Sequence, residues 1–68
     1  MKYKTDGNNI MVDEEIAATC DQVENAVDLL NKAVKANDSR KYTKAARLMY
    51  QAEQLPGFSW RHLTKEGE

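Results

Sequence analysis

The sequence predicts an all-α protein. We expect an antiparallel helical hairpin with a short third C-terminal helix and a flexible or short extended N-terminal tail, assembled as a homodimeric helical bundle. Between residues 13 and 36, apolar side chains recur at alternating steps of four and three, which is the spacing of an amphipathic helix. A second amphipathic stretch covers residues 39–54, and a Pro-Gly pair stops it at residues 56–57. The short connection between the two stretches predicts antiparallel neighbours.

The first twelve residues, MKYKTDGNNIMV, have no helical spacing. They are interpreted as a tail, residues 1–12, whose apolar residues 10–12 dock on the helices, because chain termini are commonly mobile unless they are tied down. The alternative is a short hairpin of KYKT with NNIMV around Asp6-Gly7, which is a turn dipeptide. Two isolated strands are only marginally stable in water, so the tail is the favoured interpretation.

The first predicted helix covers residues 13–36. Asp13 is its predicted N-cap, and Glu14 and Glu15 suit the positive end of the helix dipole. The apolar residues that follow have the a/d spacing of a heptad repeat. They form a predicted self-association seam of Ile16, Cys20, Val23, Val27, Leu30 and Val34.

The second predicted helix, residues 39–54, carries a broad apolar stripe that is rich in small side chains. Within it, residues 42–56 resemble the second helix of a tetratricopeptide repeat. The matching positions are Tyr42, Ala45, Leu48, Ala52 and Leu55, followed by a proline. Such repeats need about three copies to bury a core, so the resemblance implies close helix–helix packing and not the peptide-binding function of that family.

A third helix is predicted over residues 59–66, which completes a single helical domain of residues 13–68. Ser59 is its predicted N-cap, and Phe58 and Leu63 occupy the positions of a hydrophobic staple.

Several residues near the C-terminal end are candidates for anchoring a partner, because Trp, Tyr and Arg are enriched in binding hot spots. These are Tyr50, Trp60, Arg61 and His62. For Trp60, the favoured interpretation is that it fills the core at the open end of the helical hairpin.

Size and composition restrict the possible functions. A chain of 68 residues buries a small core and is marginally stable alone, so we expect self-association. With one Cys and one His, neither a disulfide framework nor a metal site is expected, and no cofactor is predicted. The single Cys, together with the lack of a membrane-span or signal-peptide pattern, predicts a cytoplasmic protein without membrane contact.

Cations cluster around the predicted junction of the two helices, although the net charge is only −1. Antiparallel packing would gather them at one end of the hairpin, with the acidic residues 13–15, Asp21 and Glu24 at the other end. The resulting basic tip is a candidate anion or partner site, made of Lys32, Lys35, Arg40, Lys41, Lys44 and Arg47. It is interpreted as a solvated face offset by carboxylates of a second subunit, or alternatively as a contact to nucleic acid.

The sequence contains none of the spaced catalytic motifs, and Cys20 is far in sequence from His62, the only imidazole. Cys20 is therefore interpreted as a core residue, and no catalytic residue is predicted. We expect a small non-enzymatic protein that acts by protein–protein binding, as a regulator, adaptor or inhibitor of the kind found among bacterial and bacteriophage accessory proteins. The alternative is a nucleic-acid-associated protein that uses the basic tip.

Overall fold

The computed structural model describes residues 2–61 and shows an α+β fold, so the prediction of an all-α helical hairpin is wrong. Four strands form one antiparallel sheet in the order β1-β2-β3-β4. Two helices are inserted in the chain between the third and the fourth strand. The elements are β1 (Tyr3–Asp6), β2 (Asn9–Val12), β3 (Glu15–Thr19), α1 (Val23–Asp38), α2 (Tyr42–Glu53) and β4 (Ser59–Trp60).

Two tight turns explain why the first twenty residues form strands and not a tail followed by a helix. The β1–β2 turn is Gly7-Asn8, with φ of +64° at Gly7, as a type II′ turn requires at its first position. The β2–β3 turn is Asp13-Glu14, and φ is positive at both residues (52° and 67°), which is the φ pattern of a type I′ turn. The predicted N-cap Asp13 is thus a hairpin residue, and the hairpin that was the alternative for residues 1–12 is present.

The sheet has a buried and an exposed face. Ile10 pairs with Ala18, and both are fully buried against the helices. The next pair, Met11 with Ile16, lies on the opposite face, where Ile16 is 41 % exposed. A bulge between the two pairs adds Ala17 to β3.

Helix α1 packs across the sheet through a stripe of small and branched side chains. It buries Ala26, Leu30, Ala33 and Ala36, which is helical spacing. The helix begins at Val23 and not at residue 13, because the preceding residues are used by the hairpin and by β3.

The C-terminal end of α1 is a Schellman motif. The backbone N–H of Lys41 donates to the carbonyl of Ala36 at 2.8 Å, and the N–H of Arg40 donates to the carbonyl of Asn37 at 2.9 Å. Arg40 occupies the left-handed position, with φ of 63°, where glycine is usual. Arg40 therefore belongs to the end of α1 and not to the start of the second helix.

After α2, the chain returns to the sheet through Gly57, whose φ is +73°. The backbone N–H of Asp21 donates to the carbonyl of Pro56 at 3.0 Å and fixes this return beside the start of α1. Ser59 and Trp60 then form β4. The predicted helix over residues 59–66 is therefore wrong for residues 59–61, the part that the structure describes. Its remainder, with Leu63, lies outside the described residues.

The core lies between the buried face of the sheet and the two helices. It contains few large side chains, among them Tyr3, Ile10 and Leu30, and several alanines. Small side chains allow the layers to approach closely, which suits so short a chain. Neither helix within residues 2–61 is both long and apolar enough to cross a membrane.

Candidate functional site

A groove of about 510 Å³ lies between the C-terminal half of α1 and the N-terminal half of α2. We call it the lysine groove. Its lining consists of Lys32, Lys35, Ala36, Ser39, Lys41, Lys44 and Leu48. Four of the six cations of the predicted basic tip are thus brought together.

Helical spacing explains why these four lysines meet. Lys32 and Lys35 are three residues apart on α1, and the same spacing relates Lys41 and Lys44 at the start of α2. Side chains at i and i+3 share a helix face. The Schellman motif turns the chain sharply between the helices, so the two pairs lie on the walls of one groove.

The lysine groove has a basic rim and an apolar base. Ala36 is buried and Leu48 is half-buried between the helices, whereas the four lysines are exposed. Lysine stems are themselves apolar, so they extend the apolar surface while holding their charges in water. The groove therefore suits a ligand that has both negative charge and an apolar side chain.

The electrostatics of the groove favour an anion. In the part of the chain that the structure describes, no acidic side chain lines it. Lys32 forms an ion pair with Asp28 at 3.1 Å, but both groups are exposed and such pairs stabilise little. The N-terminal turn of α2 contains no acidic residue and has no side-chain cap, so its free N–H groups add positive potential near Lys41 and Lys44.

The other two cations of the basic tip, Arg40 and Arg47, do not line the groove. The acidic residues are also distributed differently from the sequence expectation. Asp13 and Glu14 form the β2–β3 turn and not the first turn of a helix, so they do not mark an acidic end of a helical hairpin.

The six residues of the predicted self-association seam do not share one helix face. Cys20 and Leu30 are buried in the core, while Ile16 lies on the exposed face of β3. The valines of α1 at positions 23, 27 and 34 are half-buried and pack against the core. The seam residues therefore do not form one helical stripe, and five of the six take part in packing within the chain.

The candidate partner anchors also separate. Tyr50 is 62 % exposed on α2. Trp60 is half-buried, with its ring edge-to-face with Phe58 at a centroid distance of 5.0 Å, and its indole N–H donates to Glu53 Oε2 at 2.9 Å. The backbone N–H of Arg61 donates to the carbonyl of Ala17 at 2.8 Å, and His62 lies outside the described residues.

The structure also shows a polar contact that the sequence analysis did not identify. The side-chain amide of Asn31 accepts the backbone N–H of Tyr3 at 2.8 Å and donates to the carbonyl of Tyr3 at 3.1 Å. Burial raises the pKa of the Tyr3 phenol above its usual value near 10. A lone Asn within a helical pattern gives no sequence signal for such a clamp.

A second cavity, of about 340 Å³, lies between β1 and the two helices. Its lining is mainly apolar and consists of Tyr3, Leu30, Ala33, Val34, Asn37, Asp38, Ala45 and Met49.

Cys20 lies elsewhere in the core, only 1 % exposed, with its Sγ 3.4 Å from the carbonyl oxygen of Pro56. This environment suits a packing role for the thiol.

No protein-family model, no curated protein and no solved structure matches this chain. The charges and shape of its own surface are therefore the guide to its function.

Proposed function

We propose that this chain is a non-enzymatic binding protein that holds an acidic segment of a partner protein in the lysine groove. The observation that supports the proposal is the combination of four lysines with an apolar base formed by Ala36 and Leu48. A regulator, adaptor or inhibitor would act through such occupancy, because binding alone changes what the partner can contact.

The lining of the groove favours a protein segment over single-stranded nucleic acid, because none of its described residues is aromatic. Proteins that bind single strands combine a basic track with aromatic rings on which the bases stack. Tyr42 and Tyr50, the exposed aromatic residues of α2, do not line the groove. An acidic peptide with one aliphatic or aromatic residue would instead place its charges on the lysines and its apolar side chain over Leu48.

The experiment is a titration of the whole chain with three labelled probes, followed by fluorescence anisotropy. The probes are an acidic peptide with a central Leu, the same peptide with Gly at that position, and an oligonucleotide of equal charge. We expect the Leu peptide to bind most tightly, and its affinity to fall as salt is raised, because exposed charges are screened.

A double variant, Lys35→Glu with Lys44→Glu, should weaken binding of the Leu peptide about five- to thirtyfold, since two exposed charge contacts of about 0.5–1 kcal/mol each sum to about 1–2 kcal/mol. The matched control is Lys2→Glu with Lys4→Glu, which changes net charge equally at two exposed lysines outside the groove. Equal weakening by both double variants would contradict a site in the groove. Preference for the oligonucleotide would favour the nucleic-acid alternative.

A further inference from the structure

Helix α2 presents an aromatic stripe on a face that the rest of the described chain leaves open. Tyr42 and Tyr50 are 61 % and 62 % exposed, and Ala46 between them is also exposed. At about 100° per residue, each tyrosine lies about 40° to one side of Ala46. We call Tyr42, Ala46 and Tyr50 the tyrosine stripe.

The charges of α2 run against its own dipole. Its first turn contains no acidic residue and its last turn no basic residue, whereas Lys41 and Lys44 lie at the start and Glu53 at the end. The helix N-terminus favours anions and the C-terminus favours cations, so this order is unfavourable within one chain. A second α2 running in the opposite direction would bring Glu53 of each chain toward the uncapped N-terminal N–H groups of the other.

We propose that a second copy of the chain packs its α2 antiparallel on the tyrosine stripe. The two-fold axis of this dimer passes between the two copies of Ala46. Such an axis places Tyr42 against Tyr50 of the partner subunit, and the same contact occurs twice. Glu53 lies only about 20° from the direction of Ala46 around the helix. It would therefore approach the start of the partner's α2, where acidic groups are lacking.

The shape of the stripe fits this arrangement. A small residue at the crossing point lets two helix axes approach to about 8–10 Å, and the flanking tyrosines can then pack against each other. Aromatic pairs contribute about 0.5–1.5 kcal/mol beyond their area. A helix of twelve residues is about 18 Å long, so the contact is at the low end of interface sizes and the dimer is weak.

The dimer would leave the lysine groove open. Lys44 lies about 160° from Ala46 around α2, so the two grooves of a dimer face away from the shared interface. The proposal is independent of what the groove binds, because it rests on a different face of the helix.

Disulfide trapping tests the two-fold axis directly. With axes about 8–10 Å apart and a helix radius of about 2.3 Å, the two Cα atoms at position 46 lie about 3.4–5.4 Å apart, and the upper part of this range overlaps the roughly 4.4–6.8 Å that a disulfide spans. We expect Ala46→Cys to form a cross-linked dimer under mild oxidation. Gln51→Cys, an exposed position about 140° away on the same helix, should remain uncross-linked. Equal cross-linking at both positions, or none at position 46, would overturn the proposal.

Sedimentation equilibrium tests the same interface without a covalent bond. At about 100 µM we expect the native chain to be largely dimeric, as a weak interface of this size allows. Ala46→Lys, which puts two like charges on the axis, should raise the dissociation constant at least tenfold, and Gln51→Lys should leave it unchanged. A folded native chain that stays monomeric at this concentration would refute the dimer.

Discussion

Replacing Asn31 by Ala is the most informative single test of how the sheet is held on the helices. Asp6 of β1 and Asn9 of β2 flank the two-residue turn and form a hydrogen-bonded pair. Hydrogen-bonded and outward-facing residues alternate along β1, so Tyr3, three residues from Asp6, directs its N–H and C=O away from β2. The Asn31 amide accepts the N–H of Tyr3 at 2.8 Å and donates to the carbonyl of Tyr3 at 3.1 Å. One side chain of α1 therefore satisfies both outward-facing backbone groups of Tyr3 at the edge of the sheet.

The free energy of unfolding that Asn31→Ala removes is the result of two opposing effects. Each hydrogen bond contributes about 0.5–1.5 kcal/mol, so Asn31→Ala should remove about 1–3 kcal/mol. Ala is the better helix former by about 0.6 kcal/mol, which offsets part of the loss. The net loss of about 0.5–2.5 kcal/mol is large against the roughly 3–10 kcal/mol expected for a chain of this length.

Urea unfolding followed by circular dichroism and by Trp60 fluorescence measures this loss. For a small chain, about 1 kcal/mol per molar urea converts it to a midpoint lower by about 0.5–2.5 M. The control is Asn25→Ala, at an exposed position of α1 with only a local bond to Gln22, which should match or exceed native stability. If Asn31→Ala and Asn25→Ala unfold at the same urea concentration, the clamp does not stabilise the fold.

Asn31→Asp adds a pH dependence to the same argument. The ionised carboxylate accepts the N–H of Tyr3 but repels its carbonyl oxygen, whereas the protonated form donates to that oxygen as the amide does. The folded-state pKa of the new carboxyl is therefore raised. Its contribution is present below the unfolded value, near pH 4, and is lost as pH rises through the folded value. A variant equally stable on both sides of this range would contradict the geometry.

Three further predictions concern backbone strain and burial. Arg40→Gly should stabilise the fold by about 1 kcal/mol, because Arg40 has φ of 63°, while Arg40→Ala should not; urea midpoints distinguish them. Gly57→Ala should destabilise by about 1–3 kcal/mol, since φ is +73° and the added Cβ would lie 2.6 Å from Asp21 Cγ. Adding Asp21→Ala to the Gly57→Ala variant should restore part of the lost melting temperature. If it does not, the contact with Asp21 is not the cause of the destabilisation. Burial raises the pKa of the Tyr3 phenol in the folded state. The contribution of Tyr3 to the free energy of unfolding should therefore be complete below about pH 10 and be lost as pH rises through its folded-state pKa. Tyr3→Phe should reduce this alkaline loss and Tyr50→Phe should not, as measured by unfolding at pH 8 and above pH 10.

The helices were predictable in kind because each has a long apolar period. The observed α2, Tyr42–Glu53, lies within the predicted stretch 39–54, and α1 shares residues 23–36 with the first predicted helix. The convergence of four lysines also followed from sequence, since two helices joined by a short loop must bring residues near that loop together.

The sheet could not be read from the same pattern. Ile16 and Cys20 continue the heptad spacing of α1, so the pattern predicts a helix where the chain forms a turn and the strand β3. The turn between β2 and β3 uses Asp13-Glu14, where glycine would have marked a hairpin. The buried Ala17 and Ala18 of β3 are helix formers in isolation, and their place in a strand is decided by packing. Strands of four or five residues leave too little alternation to outweigh these signals.

The late return of the chain at β4 determines the order in which the sheet is assembled. Trp60 pairs with Ala18, about 40 residues earlier, and closing a loop of that length costs about 3 kcal/mol of entropy. Two paired residues offset little of this, whereas β1, β2 and β3 are joined by two-residue turns. We therefore expect the three-strand meander and the helices to form first, and β4 to dock on a nearly complete domain. During refolding, the fluorescence of Trp60, the sole tryptophan, then reports the final docking event and lags behind the helical signal.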